Sequence, residues 1–168
     1  MSEMNLPSRY LEARKRLSFD QVSLGYGGIK VFPLREIEEA QVGYSVSPDG
    51  APLCGSEPGD WNANWIVIGY ETGLGDPLFI DAGHPDLPVF TAMHGESSWN
   101  PDLIGKTPEA FAASFDEFRE IAAKRQDPIS LEENPITDGE RKAFLQRIAE
   151  LNGIEFAPEF WSVLVQDF

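Results

Sequence analysis

Between Asn64 and Met93, three short apolar runs alternate with two connectors built from Gly, Pro and Asp. The runs are Trp65-Ile66-Val67-Ile68, Leu78-Phe79-Ile80-Asp81 and Pro88-Val89-Phe90-Thr91. The connectors are Gly73-Leu74-Gly75-Asp76-Pro77 and Gly83-His84-Pro85-Asp86. β-Branched and aromatic runs of this length, bounded by turn residues, predict strands, and connectors too short for a crossover helix make neighbouring strands antiparallel. Near-continuous apolarity requires cover on both faces, which the helical patterns on either side are expected to supply. The fold class that follows is α+β: a single domain over residues 1–168, with a central, mainly antiparallel meander sheet flanked by helices.

Around this centre, further elements are legible. Met1–Asn5 should be loose. Pro7 suits a first helical turn, and Tyr10, Leu11, Ala13 and Leu17 line a short helix with Arg14, Lys15 and Arg16 towards its end. Ile29–Phe32 reads as a strand, Leu34–Ala40 as a short helix with Leu34 and Ile37 inward, and Tyr44–Val46 as an edge strand. A turn-rich connector follows from Ser47 to Asp60, of the kind that is often functional or mobile. Thr107-Pro108-Glu109 is a helix start, with Phe111, Phe115, Phe118 and Ala122 on one face and Lys124 and Arg125 closing it. Thr137-Asp138-Gly139-Glu140 is a capping-box pattern, followed by Phe144, Ile148 and Leu151 and stopped at Asn152-Gly153. Ala157-Pro158-Glu159 opens a short aromatic helix with Phe160, Trp161, Leu164, Val165 and Phe168. It either docks on the sheet or forms a self-association surface.

Taken together, Trp65-x-Val67-Ile68-Gly69, Gly75-Asp76-Pro77-Leu78-Phe79-Ile80-Asp81, Pro88-Val89-Phe90, His94-Gly95 and Ser114-Phe115-x-x-Phe118 resemble the SUKH superfamily. That group includes the yeast Smi/Knr cell-wall-assembly regulators and many bacterial immunity proteins. The resemblance is strongest over residues 65–121, fainter from Leu6-Pro7-Ser8-Arg9-Tyr10 onward, and leaves 129–168 as a helical extension. The Gly-rich turn that such sequences carry soon after Leu-Pro is displaced here to Gly25–Gly28. The resemblance implies a non-catalytic domain that binds a protein. The first expectation is an immunity protein neutralising a cognate bacterial toxin, and the alternative is a regulatory scaffold like the yeast regulators.

Charge narrows the partner. The formal net charge is −15, spread as −3 over residues 1–60 and −12 over 61–168. An acidic domain repels phosphate backbones, so nucleic acid is not an expected partner, whereas a basic toxin domain would be attracted. The same charge also serves solubility. No apolar window approaches a membrane span and the first residues lack a signal-peptide core, so the expected compartment is the cytoplasm.

Three constellations could carry chemistry. Asp76, Asp81, His84, Asp86 and His94 offer metal ligands, but no recognised ligand spacing joins them, and Asp beside Gly is what tight turns require. Cys54, the only cysteine, would need a histidine and a carboxylate to converge on it before it could act as a nucleophile. A lone cysteine beside Leu53 reads more simply as a small apolar residue. The Gly-rich segments at 25–28 and 73–75 lack the arrangement that cradles phosphates. No catalytic residue, metal or cofactor is therefore expected. The third constellation comprises loop aromatics and acids: Trp61, Glu71, Asp76, Asp86, Glu96, Trp99 and Asp102. Tryptophan suits an interface anchor, and carboxylates around it would select a basic partner. Residue by residue, the simpler reading is that the tryptophans cap the core and the acids are solvated.

Overall fold

The three apolar runs become β3 (Trp65–Glu71), β4 (Pro77–Asp81) and β5 (Val89–Thr91), the centre of a six-stranded sheet in a computed structural model that describes residues 4–153 and 159–166. The expected loose start at Met1–Glu3, the helix opening at Ala157-Pro158 and the inward Phe168 lie outside the described residues. β1 (Gln21–Leu24) and β2 (Gly27–Val31) extend the sheet on one side and β6 (Asp102–Gly105) on the other. The spatial order equals the chain order, and every pair is antiparallel. The expected meander is thus present and twice as wide. β1 and β6 have four residues each, too few for a period to declare itself.

Two bulges curl the sheet into a half-barrel. In β3, Val67 and Gly69 oppose Phe79 and Leu78, so Ile68 is an extra residue; in β6, Leu103 and Gly105 oppose Phe90 and Val89, so Ile104 is another. An extra residue bends its strand and leaves its own backbone unpaired within the ladder. Both carbonyls find other donors: Ile68 O accepts from the Phe32 N–H at 2.8 Å, and Ile104 O from the Trp161 indole at 3.0 Å. The bend brings backbones so close that a Cβ on Gly69 would lie 2.1 Å from the Lys30 carbonyl oxygen, which leaves room only for glycine.

Helices cover one face. α3 (Pro108–Ala122) lies on it, started by Thr107, whose hydroxyl accepts the Ala110 N–H at 3.0 Å. Phe111, Phe115, Phe118 and Ala122 are all buried against Ile29, Ile68, Leu78, Ile80 and Ile104. α1 (Ser8–Lys15) and α5 (Asp138–Asn152) flank α3, and α5 opens on the reciprocal Thr137–Glu140 capping box. α4 (Pro128–Glu133), not anticipated, and α6 (Glu159–Leu164) complete the helices. Phe144, Ile148, Trp161 and Val165 belong to the same core, so the helices after residue 129 are structural members of the fold. Two arginines at helix ends are buried and backbone-directed. Arg14 donates to the Phe32 carbonyl at 3.0 Å and pairs with Asp20, while Arg125 donates to the Ile121 and Asn134 carbonyls at 2.9 and 2.7 Å.

The other face corrects the expectation of helices on both sides. Here Val67, Phe79 and Ala92 are covered by Trp61, with Tyr44, Cys54, Trp65, Phe90 and Trp99 around it, all but the strand residues delivered by irregular chain. The short helix α2 (Ile37–Ala40), preceded by a 3-10 turn at Leu34–Glu36, leads into this cover. Ile37 is buried, but Leu34 is 37% exposed, not inward as expected. Tyr44–Val46 is not an edge strand: only single bridges join Val46 to Val42 and Pro52. Of the turn-rich connector only Cys54 joins this cover, and most of the rest of it is exposed.

What fixes the cover is Gln41. β2 stops pairing with β3 at Val31–Gly69, leaving the Val67 backbone without a strand neighbour on that side. The buried Gln41 amide takes the place of one: its oxygen accepts the Val67 N–H at 2.9 Å, and its nitrogen donates to the Val67 and Ile37 carbonyls, each at 2.8 Å. A buried backbone pair that would otherwise be unsatisfied is closed by a side chain.

Candidate functional site

The alternating strand directions bring the β1–β2 turn, the β3–β4 hairpin, the end of β5 and the start of β6 to one end of the sheet. Helix α6 closes the side of that end. Between them lies a cavity of about 850 Å³, within the few hundred to 1,000 Å³ of small-ligand and anchor pockets. Leu24, Leu103, Phe160 and Leu164 give it apolar walls, and Glu71, Asp76, Asp102, Glu159 and Lys106 supply four carboxylates against one ammonium.

The hairpin geometry explains two of those acids. Glu71 ends β3, and its carboxylate accepts the Gly73 and Leu74 N–H groups at 2.7 and 2.6 Å, closing the turn. Asp76 opens the return strand and accepts the His94 backbone N–H at 3.0 Å, with the His94 ring Nδ1 2.5 Å from the same oxygen. Burial, then the nearby Asp76 charge, pushes the Tyr44 phenol up. Among the described residues the carboxylates of Asp102 and Glu159 have no hydrogen-bond or ion-pair partner, and both residues are exposed.

Of the seven residues singled out from the sequence, Glu71, Asp76 and Asp102 meet at this cavity. Asp86 lies at the opposite end of the sheet on the β4–β5 turn, 3.6 Å from Arg9. Arg9 also binds Glu109 at 2.9 Å; burial alone would raise the Glu109 carboxyl, but that hydrogen bond, the helix N-terminus and the Arg9 charge hold it below the usual carboxylate range. Glu96 is exposed on the loop after β5. Trp61 needs correction. At 1% exposure it is the centre of the loop-covered face, with its indole donating to the Trp65 carbonyl at 3.0 Å, so it is no surface anchor. A tryptophan between two loops carries no periodicity to say whether it points in or out. Trp99 is half-buried and stands edge-on to Trp61 with ring centres 5.1 Å apart, a lid on that second core.

The five residues weighed as metal ligands divide between the two ends of the sheet. Asp76 and His94 pair as described; Asp81 accepts the Gly83 N–H at 2.9 Å, and His84 Nδ1 accepts the Asp86 N–H at 3.1 Å. The last two are turn-closing bonds, whereas Asp76–His94 joins two loops. Among the described residues no group of three or more His, Cys, Asp or Glu side chains is placed to hold a metal ion. Cys54 is half-buried, its sulfur 3.8 Å from the Ser45 carbonyl, with no histidine or carboxylate bonded to it among the described residues.

Sequence reasoning missed the apolar rim. Tyr26 and Leu74 are each 71% exposed and Val163 is 50% exposed, and all three line the cavity. A signal existed for two of them: Gly25-Tyr26-Gly27 and Gly73-Leu74-Gly75 place a large apolar side chain at the tip of a glycine turn, where small or polar residues are the rule. Among the described residues no helix is long and apolar enough to cross a membrane. No protein-family model, curated protein or solved structure matches this chain.

Proposed function

We propose that this chain is a non-catalytic protein-binding domain of the immunity type, acting in the cytoplasm by binding a basic toxin domain and occluding it, without turnover or cofactor. The observation that carries the reading is the coincidence of exposed apolar side chains and carboxylates at one end of the sheet. Apolar patches of this kind are uncommon on a soluble monomer's surface unless something binds them. An excess of four carboxylates over one ammonium speeds encounter with a positive partner and disfavours an acidic one. The resemblance to the SUKH superfamily supplies the biological setting.

The experiment is a pull-down with this chain against the products of its neighbouring genes, followed by growth rescue on co-expression with each product that binds. One toxin should be neutralised and unrelated toxins should not. Association should slow as salt rises, since the attraction is screened over roughly 8 Å at physiological ionic strength, while dissociation changes less. If no toxin is neutralised and the captured partners are endogenous signalling proteins, the regulatory scaffold replaces this reading. Turnover of any substrate by the purified chain would overturn both.

A further inference from the structure

We infer that the end cavity is a groove for a short amphipathic segment of the partner chain, one that alternates apolar side chains with lysine or arginine. This rests on the protein-binding reading and specifies its occupant. Three observations select that chemistry. The walls formed by Leu24, Leu103, Phe160 and Leu164 are apolar and ask for apolar side chains. Tyr26, Leu74 and Val163 are exposed around them, so the apolar surface continues outward to meet a chain rather than ending at a small enclosed void. The acids divide into two kinds. Glu71 and Asp76 are bonded within the fold, whereas Asp102 and Glu159 stand exposed and unpartnered among the described residues, available to receive cations.

A fully apolar segment would leave Asp102 and Glu159 desolvated and unpaired, which burial penalises. A purely cationic segment would leave the walls wet. Alternation satisfies both, because an extended segment sends successive side chains to opposite sides. In such an interface a few apolar contacts supply the tightness, and the charges supply rate and selection against acidic chains.

The probe is a fluorescently labelled synthetic peptide of alternating leucine and lysine, titrated against the full chain. Two control peptides carry serine for leucine or glutamate for lysine. The leucine–lysine peptide should bind, the glutamate peptide should not, and the serine peptide should be weaker by roughly tenfold or more. The double variant Leu74→Ser/Val163→Ser should lose roughly tenfold in affinity for the leucine–lysine peptide with an unchanged unfolding midpoint, because both sites are exposed. Should it be destabilised, Leu74→Ser alone, on a hairpin tip, repeats the measurement. Asp102→Asn/Glu159→Gln should flatten the salt dependence of binding. Equal binding of the serine and leucine peptides, or indifference to the Leu74 and Val163 changes, would reduce the contact to diffuse charge and overturn the inference. A toxin neutralised equally well by the double variant would overturn it while leaving the immunity reading intact. Peptide binding as expected, with no toxin neutralised, would leave the groove standing and remove that reading.

Discussion

The two faces of the sheet are built by opposite means. The helix-covered face is filled by aliphatic strand residues and the phenylalanines of α3, each repeated at helical spacing. The loop-covered face is filled by interlocked rings: Trp61 meets Trp65, Phe79 and Trp99 edge-on, with centres 4.9–5.2 Å apart, and Tyr44 closes over it at 5.1 Å. Regular secondary structure can bury a face with modest side chains because its backbone is already paired. An irregular cover must bring large side chains to span the gap, and must find partners for stray backbone groups, as Gln41 does for Val67. One face is held by a pattern and the other by a few particular residues.

That contrast can be broken experimentally. The largest effects should come from the centres of the two cores. Phe115→Ala and Trp61→Ala should each cost roughly 3–5 kcal/mol in denaturant unfolding, both side chains being buried. Hydrogen exchange should separate them. Phe115→Ala should lower protection throughout the sheet, whereas Trp61→Ala should first release the few protected amides between Gly43 and Gly55. Equal loss everywhere in both variants would show one cooperative unit and abolish the distinction.

Gln41→Ala should come next, at roughly 1–3 kcal/mol in all, for leaving the Val67 backbone groups without their partner. Gln41→Glu should be no better, since a carboxylate accepts from the Val67 N–H but cannot donate to the Val67 and Ile37 carbonyls. A full rescue by glutamate would mean that the amide's donor bonds contribute nothing.

A smaller effect, of opposite sign, is expected on the helix side. The Tyr10 hydroxyl is buried without a partner among the described residues, and burial raises its pKa well above the ordinary 10.0. Tyr10→Phe should therefore stabilise by about 1 kcal/mol. Because the folded state holds that proton more tightly, Tyr10's contribution is intact below pH 10 and is lost as pH climbs through the raised value. The alkaline limb of stability should be shallower in Tyr10→Phe, and an identical limb would place the titrating group elsewhere.

The smallest effect concerns acid. The Arg125 hydrogen bond, then the Thr137 N–H, hold the Glu140 carboxyl below its ordinary 4.5. Its contribution is present above that value and is lost as pH falls through the lowered one, so Glu140→Gln should make the acid limb slightly less steep. A steeper limb in the variant would contradict the assignment.

The same contrast decides what was legible in the sequence. Strands β3, β4 and β5 and helices α3 and α5 announced themselves because periodicity and capping are local: Thr107 and Thr137 do in the structure what their neighbours in sequence indicate. β1, β6 and α4 were too short to carry a period. Arg14 stands in sequence among basic residues towards a helix end, yet it is buried because Asp20 and the Leu17 carbonyl and, from farther along the chain, the Val31 and Phe32 carbonyls converge on it. Trp61 failed for the same reason, its surroundings being assembled from residues distant in sequence. At the cavity the acids were legible as acids, but only the meander's register brings Glu71, Asp76 and Asp102 to one end. Tyr26 and Leu74 were visible as anomalies in glycine turns and went unread.

Gln41 carries a consequence for the chain's tolerance of change. With the amide fixed to Val67 and the indole of Trp61 seated on Phe79, the stretch between them is a tethered span, held further by Tyr44 and Cys54 against Trp61 and exposed at its tip over residues 48–53. The entropy of closing such a span grows slowly, at about 0.6 kcal/mol per doubling of length. Inserting a few glycines and serines near Gly50, where the backbone is exposed, should leave the thermal midpoint nearly unchanged, while the same insertion beside Gln41 or Trp61 should not. If both insertions proved equally harmful, the span would be a packed element throughout. The sheet can thus keep its architecture while this one surface is free to vary in length.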